Sequence, residues 1–315
     1  MALDPENKRI DWEMYAGKDA EWWRSQEARA LADRIVSYQQ PDGGWRKTME
    51  EEVQDEWLAS TIDNGATWSQ VRYLAKSHAA TGEQNYRESC MRGIEFLLAS
   101  QHESGGWPQI PGASGTYHAH ITFNDDATTE VMRLMRDIAA QSETEVFFWV
   151  DETLALRADT SFEKALRFTL DSQVSVGGML CAWCQQYDEV TLEPAGGRKY
   201  EPAALSTWES VSIVKFLKTL PDGNPEVARA IDAAMAWFDA VKLRGLRYER
   251  DGSDGRLVQA GPDDLLWARF YDPETNTPVF GDRDGRVYDD ISKVSQERRA
   301  GYDWYGTWPL ELRQS

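Results

Sequence analysis

Apolar residues recur at helical spacing along much of this chain. Two such faces consist of Val71, Leu74 and Ala75 and of Val131, Leu134 and Met135. Positions three and four residues apart lie on one side of an α-helix, so each face predicts an amphipathic helix. Carboxylates and amides come shortly before both faces, at residues 63–64 and 124–126.

A repeated pattern, Gln-x-x-x-Gly-Gly, follows three further amphipathic stretches. Residues 28–38 precede Gln39, residues 94–100 precede Gln101, and residues 166–172 precede Gln173. The glutamines are 62 and 72 residues apart, and a degenerate fourth copy covers residues 234–248. A period of this length holds two helices with their loops, so each copy predicts a helical hairpin that ends in a glycine-rich turn. We expect such hairpins to close into a toroid with helix-end loops on one face.

The pattern changes in the last third of the chain. Residues 248–288 are rich in Gly, Asp and Pro. They predict loops and short strands, with turns at Asp251-Gly252 and Asp284-Gly285. Residues 292–308 predict a helix followed by an aromatic-rich tail.

The chain of 315 residues is long enough to bury a substantial core. Because no linker or low-complexity run interrupts it, we expect one domain over residues 25–315. Residues 1–24 are expected to pack on that domain as an N-terminal extension.

The net charge of −19, from 34 basic and 53 acidic residues, narrows the possible partners. It argues against a nucleic-acid surface, which would be basic, and against attachment to anionic membranes. It leaves room for a polyanion held in a local cationic cleft. No run of 18 apolar residues exists, so no transmembrane helix is expected, and the first residues lack the features of a signal peptide.

Three cysteines, Cys90, Cys181 and Cys184, cannot form a fully paired disulfide framework. Cys181 and Cys184 have Cys-x-x-Cys spacing. Because no second pair or nearby histidine completes a zinc site, we predict that they pack in the core.

Two clusters of carboxylates and amides are the main candidates for chemistry. Asp63-Asn64 lies in Ser60–Thr67, and Asn124-Asp125-Asp126 ends the stretch that begins at His118. Since one such residue suffices to cap a helix, the repeated layout predicts a shared oxygen-rich site for a hard cation such as calcium. Asp125 is the predicted metal contact, and Asp126 is assigned to capping the following helix. His118 and His120 would point the same way on a strand, but a structural or hydrogen-bonding role is the preferred interpretation.

Other carboxylates are less specific. A glycosidase needs two carboxylic acids that flank the scissile bond. The candidates for such a pair are Asp63, Asp125, Asp126, Glu201 and Glu209. The acidic run of Glu50, Glu51, Glu52, Asp55 and Glu56 predicts a solvated face instead.

Three arginines lie in loop-like sequence. Arg198 falls in the Gly- and Pro-rich stretch 193–202, and Arg269 and Arg283 flank another stretch of that kind. Functional residues concentrate on such loops. Two interpretations of these arginines therefore stay open: they line an anion-binding cleft, or they are ordinary surface residues. Fingerprints of serine hydrolases, P-loop proteins and dinucleotide-binding proteins are absent.

Taken together and in order, the motifs of residues 25–310 resemble the catalytic module of polysaccharide lyase family 10, the pectate lyases. The residues that carry the resemblance are Gln39-Gln-Pro-Asp-Gly-Gly-Trp45, Ser60-Thr-Ile-Asp-Asn-Gly-Ala-Thr67, Gly105-Gly-Trp-Pro-Gln109, His120-Ile-Thr-Phe-Asn-Asp-Asp126, Trp183-Cys-Gln-Gln186, Leu192-Glu-Pro-Ala195, Arg198, Tyr200-Glu-Pro-Ala203, Arg269-Phe-Tyr-Asp272 and Gly301-Tyr-Asp-Trp-Tyr-Gly306. Arg46, Trp68-Ser69 and Ala119 depart from the pattern expected of the family.

This resemblance implies an all-α (α/α)3 toroid with long irregular loops and minor short strands. It also implies cleavage of α-1,4-polygalacturonate by calcium-dependent anti β-elimination, which gives 4,5-unsaturated oligogalacturonides. Arg198 matches the base that removes the C5 proton, and Asp63 and Asp125 match the acidic residues that work with Ca²⁺. The residues expected to bind substrate are Asn64, Trp68, Lys199, Tyr200, Arg269 and Arg283. The family resemblance further implies a monomer that is secreted or periplasmic.

An arginine base requires conditions that lower its pKa, since a guanidinium is normally always protonated. Calcium, Lys199 and other arginines are expected to lower the pKa of Arg198 through their positive charge. An alkaline pH optimum follows from this expectation.

Three alternatives remain at the level of sequence. A terpenoid-cyclase-type toroid shares the Gln-x-x-x-Gly-Gly-Trp repeat but needs an Asp-x-Asp-Asp motif, which is missing. A non-catalytic carbohydrate-binding protein would keep the aromatic residues and lose Arg198 or an aspartate. A glycoside hydrolase would use Asp63 and Asp125 as acid and base.

Overall fold

Helices dominate the first of the two compact units into which the chain divides, Met1–Phe168 and Thr169–Ser315. The computed structural model describes residues 8–50, 58–141 and 146–313. The predicted acidic face therefore lies, except for Glu50, outside the described residues. The expectation of a single domain over residues 25–315 stays a prediction.

Seven α-helices begin in the described part of the first unit, and five of them, from the third onward, contain a stretch whose apolar spacing predicts a helix. They are α1 (Trp12–Ala16), α2 (Ala20–Arg24), α3 (Gln26–Ser37), α4 (Trp68–Thr81), α5 (Gln84–Ser100), α6 (Ala127–Ala139) and α7 (Glu152–Asp171). The predicted apolar faces of α4 and α6 are fully buried. Both helices are therefore confirmed, and α7 ends just beyond the boundary between the units.

The N-terminal segment packs against the rest of the first unit. Ile10, Tyr15 and Trp23 are buried, and the ring of Trp23 lies 4.9 Å from that of Tyr73 in α4. The carbonyl of Lys8 accepts a hydrogen bond of 2.7 Å from the backbone of Met49. These contacts hold residues 8–16 beside the start of α4.

The second unit contains short antiparallel strands and, in its described residues after α7, three α-helices and two 3₁₀ helices, Ile291–Lys293 and Trp308–Arg313. The helices are α8 (Thr207–Leu217), α9 (Pro225–Val241) and α10 (Gln296–Gly301). The paired strands are Ser175–Val176 with Met179–Leu180, Gln186–Tyr187 with Pro194–Ala195, Leu205–Ser206 with Phe270–Tyr271, Leu246–Arg250 with Gly255–Gln259, Phe280–Gly281 with Val287–Tyr288, and Leu265–Ala268 with both Leu243–Arg244 and Tyr305–Gly306. The predicted turns at Asp251 and Asp284 join two of these pairs. The helix predicted in residues 292–308 is short, because the chain returns to a strand at Tyr305.

Helix is thus the most abundant regular structure in the described chain, with short strands beside it, and the toroid stays a prediction. Cys90, Cys181 and Cys184 are buried free thiols, which confirms that they pack in the core. Among the described helices, none combines the length and the apolar character needed to cross a membrane.

The glutamine repeat is structural, and its role is the same in each copy. Each Nε2 donates to two backbone carbonyls: Gln39 to Gly43 and Ser89, Gln101 to Gly105 and Ser161, and Gln173 to Cys181 and Ala230. One acceptor lies in the turn just after the glutamine, and the other lies in a distant helix. A single amide therefore fixes each turn against a second helix. Gly105, with φ 108°, fits such a turn because a Cβ there would lie 2.2 Å from the carbonyl oxygen of Lys164.

Replacing Gln101 by alanine is expected to lower the free energy of unfolding by about 1–3 kcal/mol, because two carbonyls lose their donor. Urea denaturation would measure the change. Gln84→Ala is the matched control, since its exposed amide donates only within its own loop. An equal loss of stability in the two variants would contradict this role of Gln101.

Candidate active site

Two short 3₁₀ turns of the first unit, Asp63–Gly65 and Asn124–Asp126, hold the predicted carboxylates and amides. Threonines shape both turns in the same way. The hydroxyl of Thr61 accepts from the backbone N–H of Asp63 at 3.0 Å, and the hydroxyl of Thr122 accepts from that of Asn124 at 3.1 Å. The matching sequence of the two clusters therefore produces matching backbone structure.

Backbone conformation defines which residues of the two clusters correspond. Asn64 (φ 50°, ψ 40°) and Asp125 (φ 49°, ψ 39°) take the same left-handed conformation at the middle of their turns. Asn and Asp tolerate this conformation better than most residues. Asn64 is thus the counterpart of Asp125, and Asp63 is the counterpart of Asn124.

Folding brings the two turns into contact, as predicted. Nδ2 of Asn64 donates to Oδ2 of Asp125 at 3.3 Å, and Nδ2 of Asn124 donates to the same oxygen at 2.8 Å. On the other side, Nη1 of Arg9 donates to Oδ1 of Asn64 at 3.3 Å. Asp125 remains exposed, so its carboxylate can still bind a ligand from solvent.

Asp63 lies in a different environment from Asp125. It is 2% exposed, and its Oδ2 lies 2.6 Å from Nζ of Lys47. Sequence reasoning missed Lys47, which follows the Gly-Gly-Trp motif by two residues. The position of Lys47 just after this motif was the only signal that it could belong to the site. Nothing in the sequence indicated that it would pair with Asp63.

Asp126 does not cap α6, so this prediction is wrong. It occupies the N-cap position with φ 62°, and its side chain makes no capping hydrogen bond. A capping residue needs extended backbone to turn its oxygen toward the first N–H groups of the helix. Instead, Oδ1 of Asp126 is buried without a hydrogen-bond partner among the described residues.

A cleft of about 390 Å³ opens beside these turns, between the N-terminal segment and the starts of α4 and α6. Its lining includes Arg9, Trp12, Asn64, Trp68, Asp125 and Asp126. Glu130 also lines it, and burial raises the pKa of this carboxyl against the opposing charges of Arg133 and Arg72. The cleft combines indole surface with several carboxylates.

The two histidines do not lie side by side on a strand as first considered. His118 falls in a 3₁₀ turn, Tyr117–Ala119, and the strand begins only at Ile121. Its buried Nδ1 is hydrogen-bonded at 3.0 Å to Oε1 of Gln109. The preferred hydrogen-bonding role is confirmed for His118.

Arg198 lies in the second unit, in a tight loop after the strand Pro194–Ala195. The loop closes on Glu201, whose backbone N–H donates to the carbonyl of Arg198 at 2.6 Å. A Cβ at Gly197 would lie 2.7 Å from Oε2 of Glu201. A larger residue at this position would therefore push against the carboxylate of Glu201.

The guanidinium of Arg198 is paired side-on with Glu201. Its Nε donates to Oε2 at 2.9 Å, and its Nη2 donates to Oε1. Burial alone would lower the pKa of Arg198, but the hydrogen bonds and charge of Glu201 outweigh it and raise the pKa. The expectation that Lys199 and other arginines lower the pKa of Arg198 is therefore wrong, since a carboxylate lies closest, and the lowering expected from calcium stays a prediction.

Three arginines of the second unit lie around the ring of Tyr200. The guanidinium carbons of Arg198, Arg283 and Arg298 lie 5.0, 5.6 and 4.7 Å from the centre of its ring. Such distances permit cation–π attraction. Arg198 and Arg283, predicted from separate loops, are thus brought together, and Arg298 is a member that sequence reasoning missed.

The remaining predicted residues of this unit differ in exposure. Arg269 is buried, and its Nη2 lies 2.7 Å from Oε1 of the buried Glu209. Its guanidinium carbon lies 5.1 Å from the ring of Tyr302, which in turn contacts Tyr200. Arg283 is 61% exposed and pairs with Glu297, and Lys199 is also exposed.

Comparison with known proteins gives this site its context. A family model described as pectic acid lyase matches residues 35–312. A family 10 polysaccharide lyase from Cellvibrio cellulosa has a similar structure, with a TM-score of 0.81 and 29% identity, covering 100% of this chain and 96% of that one. An alanine mutant of that lyase, in complex with trigalacturonic acid, matches with a TM-score of 0.81 and 30% identity over 94% of both chains. No curated protein sequence matches significantly. A match over nearly the whole chain shows that this chain belongs to the pectic acid lyase family.

Proposed function

We propose that this protein is a pectate lyase that cleaves α-1,4-polygalacturonate by calcium-dependent anti β-elimination. Family membership supports the reaction class. The complex of a similar lyase with trigalacturonic acid supports the substrate class. The observation that carries the proposal is the cluster of Arg198, Arg283 and Arg298 around Tyr200 in a chain with a net charge of −19.

The chemistry requires a base and a means of neutralising the substrate carboxylate. The C5 proton of a galacturonate is weakly acidic while the adjacent carboxylate is charged. Arg198, in its neutral form, takes this proton, and the electron pair forms the C4–C5 double bond as the glycosidic oxygen leaves C4. Arg283 and the exposed Lys199 offer cations for neighbouring uronates. The buried Arg269 contacts the ring of Tyr302, which packs against Tyr200.

The donor set of the first unit suits calcium. Asp125 offers an exposed carboxylate, and Asp126 offers a buried oxygen that has no hydrogen-bond partner within residues 8–50, 58–141 and 146–313. Glu130 lines the same cleft, and burial raises its pKa. Excess negative charge and carboxylate oxygens are what Ca²⁺ requires. Asp63 can join this set only by exchanging Lys47 for the metal.

When bound, calcium would neutralise the uronate carboxylate and stabilise the enolate-like charge that develops on it. Asn64 and Trp68 line the same cleft as Asp125. We propose that Asn64 orients Asp125, as its hydrogen bond indicates, and that the indole of Trp68 stacks on a sugar ring.

The proposal also includes the (α/α)3 toroid, a single domain over residues 25–315, and a secreted or periplasmic monomer that binds no nucleic acid. The repeated glutamine anchor supports a fold built from helical hairpins. The acidic net charge supports the absence of nucleic-acid binding. Sedimentation analysis and an experimental structure would test these points.

Incubation with polygalacturonate is expected to produce the ultraviolet absorbance of a 4,5-unsaturated product when calcium is present and not when it is chelated. Reducing ends without this absorbance would identify a hydrolase. Binding of polygalacturonate without either product would identify a non-catalytic carbohydrate-binding protein. Unchanged product formation under chelation would contradict the calcium requirement alone.

A further inference from the structure

Glu201 accepts more hydrogen bonds than a simple ion pair with Arg198 needs. Its Oε2 accepts from the backbone N–H and from Nε of Arg198, both at 2.9 Å. Its Oε1 accepts from Nη2 of Arg198 and, at 2.9 Å, from the hydroxyl of Tyr302. The side chain of Glu201 is 3% exposed, whereas that of Arg198 is 47% exposed.

This pairing fixes the direction of the guanidinium. Engaging Nε and Nη2 together holds the plane of the group, because both donors belong to one rigid fork. In the part of the chain that the structure describes, Nη1 of Arg198 donates to no acceptor. Nη1 is therefore the nitrogen left to meet a ligand.

Tyr302 holds the carboxylate from the other side. Its ring is buried and lies 5.3 Å from that of Tyr200, at nearly right angles. Burial raises the pKa of Tyr302 well above its ordinary value, so its hydroxyl stays protonated and can donate to Glu201. Glu201 is thus anchored between a phenol and the arginine that it orients.

We propose that Glu201, anchored by Tyr302, is the positioning residue of the elimination and presents Nη1 of Arg198 to the C5 proton. This inference rests on the proposed lyase function. In the step itself the C5–H bond breaks, an N–H bond forms at Nη1, the electron pair becomes the C4–C5 double bond, and the departing oxygen takes a proton from water. Neutral Arg198 becomes a guanidinium, and the carboxylate of Glu201 stabilises the new positive charge.

Glu201 also sets the pH at which this step can proceed. A carboxylate beside Arg198 raises its pKa above the ordinary range of an arginine, so the neutral, basic form is a small fraction at any assay pH and kcat should rise with pH without levelling off. Removing the negative charge lowers this pKa. The rise of kcat with pH must then become shallower at the alkaline end, although the guanidinium is less well oriented.

Glu201→Gln is expected to lower kcat at a fixed alkaline pH by about 10- to 100-fold. KM should change by less than about threefold, because no substrate contact is removed. The rise of kcat with pH should become shallower at the alkaline end. Glu201→Asp, which keeps the charge but shortens the reach, should lose kcat without that change in the pH profile. Tyr302→Phe should give a smaller loss and keeps the test possible if changes at Glu201 prevent folding.

Glu95→Gln is the matched control, since Glu95 forms an exposed bidentate pair with Arg157 outside the proposed site. It should leave kcat and the pH profile unchanged. A wild-type pH profile retained in Glu201→Gln, a wild-type kcat in Tyr302→Phe, or a loss of kcat that is equal at every pH and matches the loss of folded protein, would overturn the positioning role. A wild-type enzyme that forms no unsaturated product would instead refute the lyase function itself.

Discussion

Replacing Arg198 by alanine is expected to lower kcat on polygalacturonate by about 10²- to 10⁴-fold, the range for loss of a general base. The side chain is half exposed and pairs with Glu201 on one edge. Because Glu201 is buried, loss of the guanidinium also leaves its carboxylate without a cation, so the amount of folded protein is measured beside turnover. Initial rates of unsaturated product at saturating substrate and calcium would measure the change.

Arg157→Ala is a close control for this prediction. Arg157 is also 47% exposed and also forms a bidentate pair with a glutamate. The two arginines are equally exposed, but Glu201 is buried whereas Glu95 is 48% exposed. Arg198→Ala therefore costs more stability than Arg157→Ala, and rates of both variants are compared per folded protein. A comparable loss of kcat in both would show that Arg198 acts through the fold, and normal turnover in Arg198→Ala would refute its role as base.

Arg198→Lys separates charge from geometry. Lysine keeps a cation but lacks the planar fork that Glu201 binds side-on. If orientation of the base matters, this variant should be nearly as slow as Arg198→Ala. If Arg198 merely supplies positive charge to the uronate, Arg198→Lys should retain much of the activity.

Local pattern was sufficient to predict the helical framework. The apolar spacing in α4 and α6 is a property of neighbouring residues, and both helices form where it predicts them. The glutamine repeat could also be recognised in the sequence, because each copy precedes a turn of similar sequence. The helix to which each glutamine bonds could not be predicted, since its acceptor lies 50 to 60 residues away.

Side-chain pairing at the site depended on tertiary structure. Lys47 and Asp63 meet only because the loop after Trp45 folds back on the first acidic turn. The positive φ at Asp126, which prevents helix capping, arises from the shape of the whole turn rather than from the residue type. Glu201 was recognised only as a possible catalytic acid, although it lies three residues from Arg198. Spacing alone does not reveal that a loop closes so tightly.

The two acidic turns illustrate how sequence similarity can mislead by one position. Matching Asp63 to Asp125 is natural when residue types are compared. The backbone instead aligns Asp125 with Asn64, since both take the left-handed conformation. One turn therefore buries its carboxylate against Lys47, and the other exposes its carboxylate to the cleft. The two aspartates should then respond differently to mutation.

Asp125→Ala is expected to lower kcat/KM at low calcium by about 100-fold or more, because metal stabilisation of the developing charge is worth several kcal/mol. Added calcium should restore part of the rate, since Asp126 and Glu130 still line the cleft. Calcium titrations of the rate, together with calorimetric titration of the free protein, would separate lost affinity from lost chemistry. Asp159→Ala, which removes an exposed carboxylate from α7, is the control.

The same titration on Asp63→Asn tests which aspartate binds the metal. If Lys47 remains the partner of Asp63, the variant should lose stability through the unpaired lysine while its calcium affinity falls less than that of Asp125→Ala. If Asp63 exchanges Lys47 for calcium, both variants should lose affinity to a similar extent. An Asp125→Ala enzyme with unchanged calcium dependence would place the metal elsewhere in the protein, and the assignment of the exposed acidic turn would be wrong.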